Sequence, residues 1–303
     1  MKSVKPYITA MRLRTLPQSM AGVSLGLFLA AADYVISPWT AFFTLLTAVF
    51  LQILSNTANE LGDFMNGTDR RSDRQGPAYT LTQGLISEKE YRIMMWIYAA
   101  LSAASGLAMV WFSFGTFFSY GAIITLFLGI MALSAAMRYT LGKHPYGYKG
   151  YGDLNVFIYF GLVAVLGSYF VAVHTIPSWF LLLPAVSIGC LSMAVLSVNN
   201  IRDMKSDALT RKTIPVRFGE KKAKIYHTVL IVTGWAAMLA YSAVRFFDWW
   251  HYLFVLALPL FVFHLVKVWK LSGKALDPQL PFLVISTFLF ALLAGFGFVA
   301  FLL

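Results

Sequence analysis

Long apolar stretches alternate with short polar ones along almost the whole chain. An apolar stretch of about 20 residues is long enough to cross a bilayer as one α-helix. Nine such stretches occur, at roughly 15–33, 38–61, 92–113, 117–138, 153–173, 178–201, 225–245, 249–270 and 279–302. The pattern therefore predicts an all-α, multi-pass membrane protein that forms a single domain over residues 1–303.

The basic residues fall on one side of the membrane if the N-terminus lies inside the cell. Of the 24 Lys and Arg residues, all except Arg245 then lie in cytoplasmic segments. Because positive charge is retained on the cytoplasmic side, we expect a cytoplasmic N-terminus, an external C-terminus and a location in the inner (cytoplasmic) membrane. The net charge of +11 then indicates anionic headgroups and an anionic substrate as partners, rather than nucleic acid.

Two polar motifs of similar sequence end the second and the sixth apolar stretches. The first contains Asn59, Glu60 and Asp63, and the second contains Asn199, Asn200, Asp203 and Asp207. Asn59 matches Asn199 and Asp63 matches Asp203, with the same offset of 140 residues. This offset predicts an internal repeat, approximately 10–150 and 151–275, of two pseudo-symmetric four-helix units followed by a ninth helix.

Acidic side chains at the end of a membrane helix are costly and mostly functional. Side chains four positions apart share one face of a helix, so the oxygens of both motifs are expected to converge on one hard cation. Mg²⁺ suits such a site because it takes oxygen ligands and bridges carboxylates to substrate phosphates. The candidate ligands are Glu60, Asp63, Asp69, Asp203 and Asp207. The alternative is an acidic helix end that is paired with neighbouring Lys and Arg residues.

The cytoplasmic loops add candidate contacts for a phosphate-bearing substrate. Arg70 and Arg74 follow the first motif, and arginine clamps a diphosphate in bidentate fashion. Lys143 offers a point charge to a leaving phosphate. Asp153 begins the fifth apolar stretch and is either a substrate contact or general base, or the N-cap of a helix. The residues alone leave this choice open.

The order and spacing of these motifs resemble the UbiA superfamily of intramembrane aromatic prenyltransferases. The resemblance rests on Asn56-x-x-Asn59-Glu60-x-x-Asp63 with Gly67-x-Asp69, on Tyr139-x-x-x-Lys143 with Tyr148-x-Gly150-x-Gly152-Asp153, and on Asn199-Asn200-x-x-Asp203-x-x-x-Asp207. It runs from Arg14-Thr15-Leu16-Pro17 to about Gly219. The finer pattern is most like the members that prenylate 1,4-dihydroxy-2-naphthoate for menaquinone biosynthesis. This chain departs from the family pattern at Leu13, Glu60 and Tyr79.

The resemblance implies transfer of a polyprenyl group from polyprenyl diphosphate to 1,4-dihydroxy-2-naphthoate, with loss of the carboxylate, giving demethylmenaquinol. It also implies a Mg²⁺-dependent enzyme with catalytic roles for Asp63, Lys143, Asp153, Asp203 and Asp207. The implied substrate-binding residues are Arg14, Asn59, Arg70, Arg74, Tyr139, Asn199 and Asn200.

Two alternatives stay open. The acceptor is instead 4-hydroxybenzoate, homogentisate or a similar ring, or the protein is a secondary transporter. Transporter sites usually lie near the membrane midplane, whereas these acids lie at the cytosolic ends of the predicted helices, which favours the enzyme.

Overall fold

A computed structural model describes residues 4–67, 80–143 and 145–300. These residues contain no β-strand, and nine of their helices are long and apolar enough to cross a membrane. We number them α1 (Lys5–Asp33), α2 (Pro38–Met65), α3 (Glu88–Phe114), α4 (Tyr120–Arg138), α5 (Gly152–Val173), α6 (Trp179–Arg202), α7 (Glu220–Val244), α8 (Trp249–Lys270) and α9 (Gly273–Val299). The prediction of an all-α, multi-pass membrane protein is therefore confirmed. Asp69, Arg70, Arg74 and Tyr79 lie outside the described residues.

The two polar motifs have different backbone settings. Asn59 and Asp63 both lie inside α2, which continues to Met65, beyond the end of its apolar stretch. The second motif is divided, because α6 ends at Arg202 and Asp207 closes a separate short helix, Met204–Asp207. Helical hydrogen bonding still crosses the break, since the amide of Asp203 donates to the carbonyl of Asn199 (3.0 Å).

Helix α1 is interrupted where the family pattern is also broken. A first helical piece, Lys5–Met11, ends at Arg12, which has a left-handed backbone (φ 54°). A short 3₁₀ turn over Leu13–Thr15 follows, and the membrane-spanning piece begins at Leu16. Leu13 itself is exposed, so its side chain makes no contact with the core.

The helices pack as two similar pairs around a central group. Helix α2 packs against α3 as α6 packs against α7, and α9 fills the space beside α1, α6 and α8. The larger buried apolar cluster draws on α1 and α5–α9, and a smaller one joins the start of α1 to α2, α3 and α4. The paired contacts agree with an internal repeat, although the division into four, four and one helices stays a prediction.

One ion pair lies at the opposite end of the bundle from the two motifs. Arg245 donates from its Nη2 atom to Asp33 Oδ1 at 2.6 Å, joining the last residue of α1 to the residue after α7. Tyr169 also donates to Asp33 (3.2 Å). Arg245 is the one basic residue that charge counting places outside, and it is matched here by a local acid. Both charged groups are partly exposed, so the pair contributes at most about 1 kcal/mol.

Close packing of α1 on α5 depends on glycine. A Cβ atom added at Gly26 would lie 2.1 Å from Ser168 Oγ and 2.3 Å from the carbonyl oxygen of Val165. Small residues of this kind let two membrane helices approach closely. The contact matters for function because α1 and α5 form two walls of the cavity described below.

We expect Gly26→Ala to destabilise the protein by about 1–3 kcal/mol, the usual cost of overpacking. This corresponds to a fall of roughly 2–10 °C in the melting temperature, measured in detergent by thermal unfolding. Gly106→Ala is the matched control, because the nearest atom to its added Cβ, Thr47 Cγ2, is 3.8 Å away. Equal melting temperatures for the two variants would contradict close α1–α5 packing.

Candidate active site

A cavity of about 390 Å³ runs between α1–α6 and α9. Asn59, Tyr139 and Arg211 line the end of the cavity next to the two motifs, and Thr44 and Met109 line the opposite end. Thr44 and Asn59 belong to one helix, so the cavity extends for about 22 Å at 1.5 Å per residue. It is therefore long and narrow, with polar groups at its mouth and largely apolar walls below.

Aromatic side chains and an unusual helix form one wall. Residues Phe157–Gly167 of α5 are wound as a π-helix, a form that is rare and often found at functional sites. Tyr159 and Phe160 of this segment line the cavity, together with Tyr139 and Tyr146 from the preceding loop. The faces of such rings attract cations, which suits the wall to a positively charged reaction intermediate.

The mouth of the cavity brings one carboxylate from each motif to the same arginine. An Nη atom of Arg211 donates to Asp63 Oδ1, and Arg211 Nε lies 3.8 Å from Asp207 Oδ1. Tyr148 also donates to Asp63 Oδ1 (2.7 Å), and its ring lies under the guanidinium at 4.9 Å. All three charged side chains are at least nine-tenths buried. Asp63 and Asp207 therefore face the same position, and a positive charge there stabilises both carboxylates.

Two backbone contacts hold this arrangement in place. The segment after Asp207 turns helically, so the amide of Arg211 donates to the carbonyl of Asp207 (2.8 Å). The next amide, of Lys212, donates to the carbonyl of Tyr148 (3.1 Å) and links the loop after α4 to the segment after α6. Thr140 meanwhile donates to the carbonyl of Ala58 (3.0 Å) and fixes the loop against α2.

Electrostatics favour charged Arg211 and neutral Tyr139. Burial disfavours the charged guanidinium, but the Asp63 and Asp207 carboxylates outweigh it and hold the pKa of Arg211 well above its ordinary value. Burial, the largest cause, raises the pKa of Tyr139 to about 12. Tyr139 therefore remains a neutral phenol at physiological pH, able to donate a hydrogen bond but unsuited to act as a base.

Asp203 is held by the residue before it. Arg202, whose side chain is only 3% exposed, donates to both carboxylate oxygens of Asp203 at 2.9 and 2.6 Å. It also donates to Asn199 Oδ1 (2.8 Å) and to Asp277 Oδ1 (2.7 Å) on α9. Arg202 thus links the second motif to α9, and the Asp203 carboxylate is engaged by this arginine.

Glu60 is directed towards the loop that precedes α3. Its Oε1 atom accepts hydrogen bonds from Thr80 Oγ1 (2.9 Å) and from the amide of Leu81 (3.0 Å). The side chain is buried, so these bonds anchor the loop. Within residues 4–67, 80–143 and 145–300, no three His, Cys, Asp or Glu side chains are grouped to hold a metal ion. The expected convergence of Glu60, Asp63, Asp203 and Asp207 is therefore not present there.

The other candidate residues are dispersed around the mouth. Asn59 and Asn199 line the cavity, and Asn200 is buried. Asp153 accepts from Tyr226 (3.2 Å) and lies inside the first turn of α5, whose N-cap is Tyr151, so the N-cap alternative is wrong. Lys143 and Arg14 are exposed and are not among the cavity-lining residues.

A hard divalent cation fits the Asp63 and Asp207 pair. Both carboxylates are buried and directed at one cation, the Arg211 guanidinium. Asn59 Oδ1, one helical turn before Asp63, is buried and has no hydrogen-bond partner among the described residues. Three oxygen donors of this kind match what Mg²⁺ takes from proteins, with the remaining positions filled by water and phosphate.

Three residues with evident roles were missed in the sequence: Arg202, Arg211 and Tyr148. Arg211 could have been predicted, because it lies four positions after Asp207, the same spacing that separates Asp203 from Asp207. Arg202 directly precedes Asp203, a neighbour that no helical spacing pairs with it. Tyr148 belongs to a motif that carried the resemblance, but nothing local indicated a bond to Asp63.

Comparison with known proteins places the chain in a family of membrane enzymes. Residues 19–287 match the UbiA prenyltransferase family, and the chain belongs to it. It is 37% identical over 274 residues to 1,4-dihydroxy-2-naphthoate octaprenyltransferase of Escherichia coli, covering 90% of this chain and 86% of that protein. It is 36% identical over 277 residues to the protein of the same name from Haemophilus influenzae, covering 88% and 87% of the two chains.

Solved structures confirm the fold. A UbiA homologue from Aeropyrum pernix K1 superposes with a TM-score of 0.69 at 15% identity, covering 97% of this chain and 99% of that one. A UbiA homologue from Archaeoglobus fulgidus, bound to DMAPP and Mg²⁺, superposes with a TM-score of 0.53 at 18% identity, covering 95% and 98%. Such identities establish a shared fold and no more.

Proposed function

We propose that this protein transfers a polyprenyl group from polyprenyl diphosphate to 1,4-dihydroxy-2-naphthoate, giving demethylmenaquinol, diphosphate and CO₂. The observation that carries the proposal is the pair Asp63 and Asp207, directed at one cation at the mouth of a long, mostly apolar cavity. That arrangement suits a molecule with a diphosphate head and an apolar tail. The relatives at 36–37% identity that are named for the naphthoate substrate support the choice of acceptor.

The bonding changes in this reaction balance without a redox partner. The allylic C–O bond breaks and its electron pair leaves on the diphosphate. The acceptor ring supplies the electron pair of the new C–C bond. Its carboxylate then leaves as CO₂, and the electron pair of the broken ring–carboxylate bond returns to the ring. The protein must therefore stabilise negative charge on the diphosphate and shield an allylic cation from water.

The residues at the mouth suit the first task. Asp63, Asp207 and Asn59 would hold Mg²⁺, which supplies Lewis-acid stabilisation of the leaving diphosphate when bound. Arg211 would contact the diphosphate, and we retain Arg70, Arg74 and Lys143 as further proposed contacts. Direct metal ligation by Glu60, Asp69 or Asp203, and the roles given to Arg14, Tyr139, Asp153, Asn199 and Asn200, stay predictions. The aromatic wall of the cavity would serve the second task.

The membrane setting follows from the same chemistry. We propose the inner membrane of a bacterium, with the N-terminus in the cytoplasm, because positive residues cluster at the end of the bundle that holds the site. The tail of the substrate would then lie in the apolar cavity and the bilayer, and the diphosphate would meet Mg²⁺ at the cytosolic face.

The proposal is tested with purified protein in detergent, farnesyl diphosphate, Mg²⁺ and one acceptor at a time. We expect prenylated, decarboxylated product with 1,4-dihydroxy-2-naphthoate, and none after chelation of the metal with EDTA. If product forms only with 4-hydroxybenzoate or homogentisate, the proposed acceptor is wrong and the proposed reaction class, prenyl transfer, still holds. Inactivity with every acceptor would overturn the enzyme and favour transport.

A further inference from the structure

A buried amide network lines the cavity below the mouth. Gln52 of α2 donates from Nε2 to Asn56 Oδ1 (3.1 Å) and to Thr15 Oγ1 (3.5 Å). Asn56 donates in turn to the backbone carbonyl of Met11 (2.9 Å) and to Thr15 Oγ1 (2.9 Å). The hydroxyl of Thr15 donates a hydrogen bond to the carbonyl of Arg12 (2.9 Å). These bonds join α2 to the interrupted start of α1.

The network has only one consistent orientation. Backbone carbonyls accept and never donate, so Asn56 must present its nitrogen to Met11, and Thr15 must present its hydrogen to Arg12. Asn56 Oδ1 and Thr15 Oγ1 are then acceptors for the nitrogen of Gln52. These acceptors fix the orientation of the Gln52 amide, with its nitrogen directed at Asn56 and Thr15.

The Oε1 atom of Gln52 takes no part in this network. Gln52 is 9% exposed and lines the cavity, and its Oε1 atom is buried with no hydrogen-bond partner among the described residues. A buried polar atom without a partner costs about 1–3 kcal/mol, so such an atom calls for an explanation. Gln18 of α1 repeats the pattern: it donates to Ser192 (2.6 Å), and its Oε1 atom is likewise buried and without a partner in the described chain.

The two glutamines lie at one level of the bundle. Gln52 stands eleven residues before Asp63, and Ser192, the partner of Gln18, stands eleven residues before Asp203. The amide of Gln52 donates to Asn56, which stands seven residues before Asp63, so the amide lies about 10 Å along α2 from Asp63. That level is directly below the proposed diphosphate position, where an aromatic ring must lie to meet the first carbon of the prenyl tail.

Only one of the two substrates can satisfy these oxygens. The diphosphate oxygens accept hydrogen bonds, and the prenyl tail carries no polar hydrogen. A phenolic hydroxyl donates, and the proposed acceptor carries two. We propose that Gln52 Oε1 accepts a hydrogen bond from one ring hydroxyl of the acceptor, with Gln18 contacting the other. This subsite for a dihydroxy aromatic rests on the function proposed above.

The test compares acceptors that differ by one hydroxyl. We expect Gln52→Met, which keeps side-chain length but removes the amide, to raise the dissociation constant for 1,4-dihydroxy-2-naphthoate about tenfold, as one lost hydrogen bond would. The KM for farnesyl diphosphate should change less than about twofold, since neither its diphosphate nor its tail has a polar hydrogen to donate to the amide oxygen. In the wild type, either 1-hydroxy-2-naphthoate or 4-hydroxy-2-naphthoate should bind about tenfold more weakly, and Gln52→Met should abolish that difference.

Two further variants sharpen the comparison. Gln52→Glu retains an acceptor oxygen and should keep the preference for the dihydroxy compound. Gln279→Met is the matched control, because Gln279 is a buried glutamine bonded to His264 that does not line the cavity. Its acceptor affinity should equal that of the wild type.

The outcomes are separable. Unchanged naphthoate affinity in Gln52→Met, or an equal loss in Gln279→Met, would overturn the subsite while leaving the enzyme intact. If Gln52→Met does not fold, the analogue series on the wild type and Gln52→Glu decides: equal binding of mono- and dihydroxy compounds overturns the proposal. A wild-type protein that prenylates only another acceptor would overturn the proposed function instead.

Discussion

Asp63→Asn should abolish prenyl transfer, with kcat/KM falling by at least about 10³-fold. Asp63 receives hydrogen bonds from Arg211 and Tyr148 and faces the point that Asp207 also faces. The amide keeps the size of the side chain but removes the negative charge on which cation binding depends. The measurement is the initial rate of product formation from farnesyl diphosphate and 1,4-dihydroxy-2-naphthoate over a range of Mg²⁺ concentrations.

Asp33→Asn provides the control for this experiment. Asp33 is also a membrane-helix aspartate paired with an arginine, but it lies at the end of the bundle opposite the two motifs, beside Arg245. We expect its rate and its Mg²⁺ dependence to match those of the wild type. Retention of more than about a tenth of wild-type activity in Asp63→Asn would remove Asp63 from the proposed metal site.

The apolar pattern was sufficient for the helices because each span must satisfy its own backbone in the bilayer. A helix is the form that does so within one segment, so length and hydrophobicity alone indicated each span. The pattern was less reliable at helix ends. α2 continues past its apolar stretch to Met65, because its motif residues are buried against the loop at Thr140 and Tyr148.

The candidate site was predicted in part. Spacing identified Asp63 and Asp207, which the fold brings to one arginine. The motifs also made Glu60 and Asp203 candidate ligands, but their carboxylates are engaged by Thr80 and by Arg202. A linear pattern states which face of a helix a side chain occupies, but not which loop packs on that face. The partners of Glu60 and Asp63 come from loops 20 or more residues away, so only the fold could distinguish them.

Arg211, like Arg202, is buried between two acids, whereas Arg217 in the same segment is exposed. A surface arginine contributes little to stability, whereas removal of one partner from a buried ion pair costs about 3–5 kcal/mol. The three side chains here are only 5–9% exposed, so the larger value applies. The cost arises because two carboxylates, left without a cation, repel each other away from water.

We therefore expect Arg211→Gln to lower the melting temperature by roughly 6–20 °C when metal is chelated. Added Mg²⁺ should recover more of this loss than it adds to the wild type, because the ion stabilises the same carboxylates by binding the folded state. The kcat/KM for prenyl transfer should still fall about 10²–10³-fold at saturating Mg²⁺, the typical effect of losing one preorganised contact to developing negative charge.

Thermal unfolding in EDTA and in a Mg²⁺ series measures the first two effects, and product formation measures the third. Arg217→Gln is the matched control, since Arg217 belongs to the same segment between α6 and α7 but is exposed. A melting temperature for Arg211→Gln that equals the Arg217→Gln value in EDTA would show that the buried pair carries no stability. If Mg²⁺ stabilised both variants equally, the ion and the arginine would not share the Asp63 and Asp207 carboxylates, and the metal site would have to lie elsewhere.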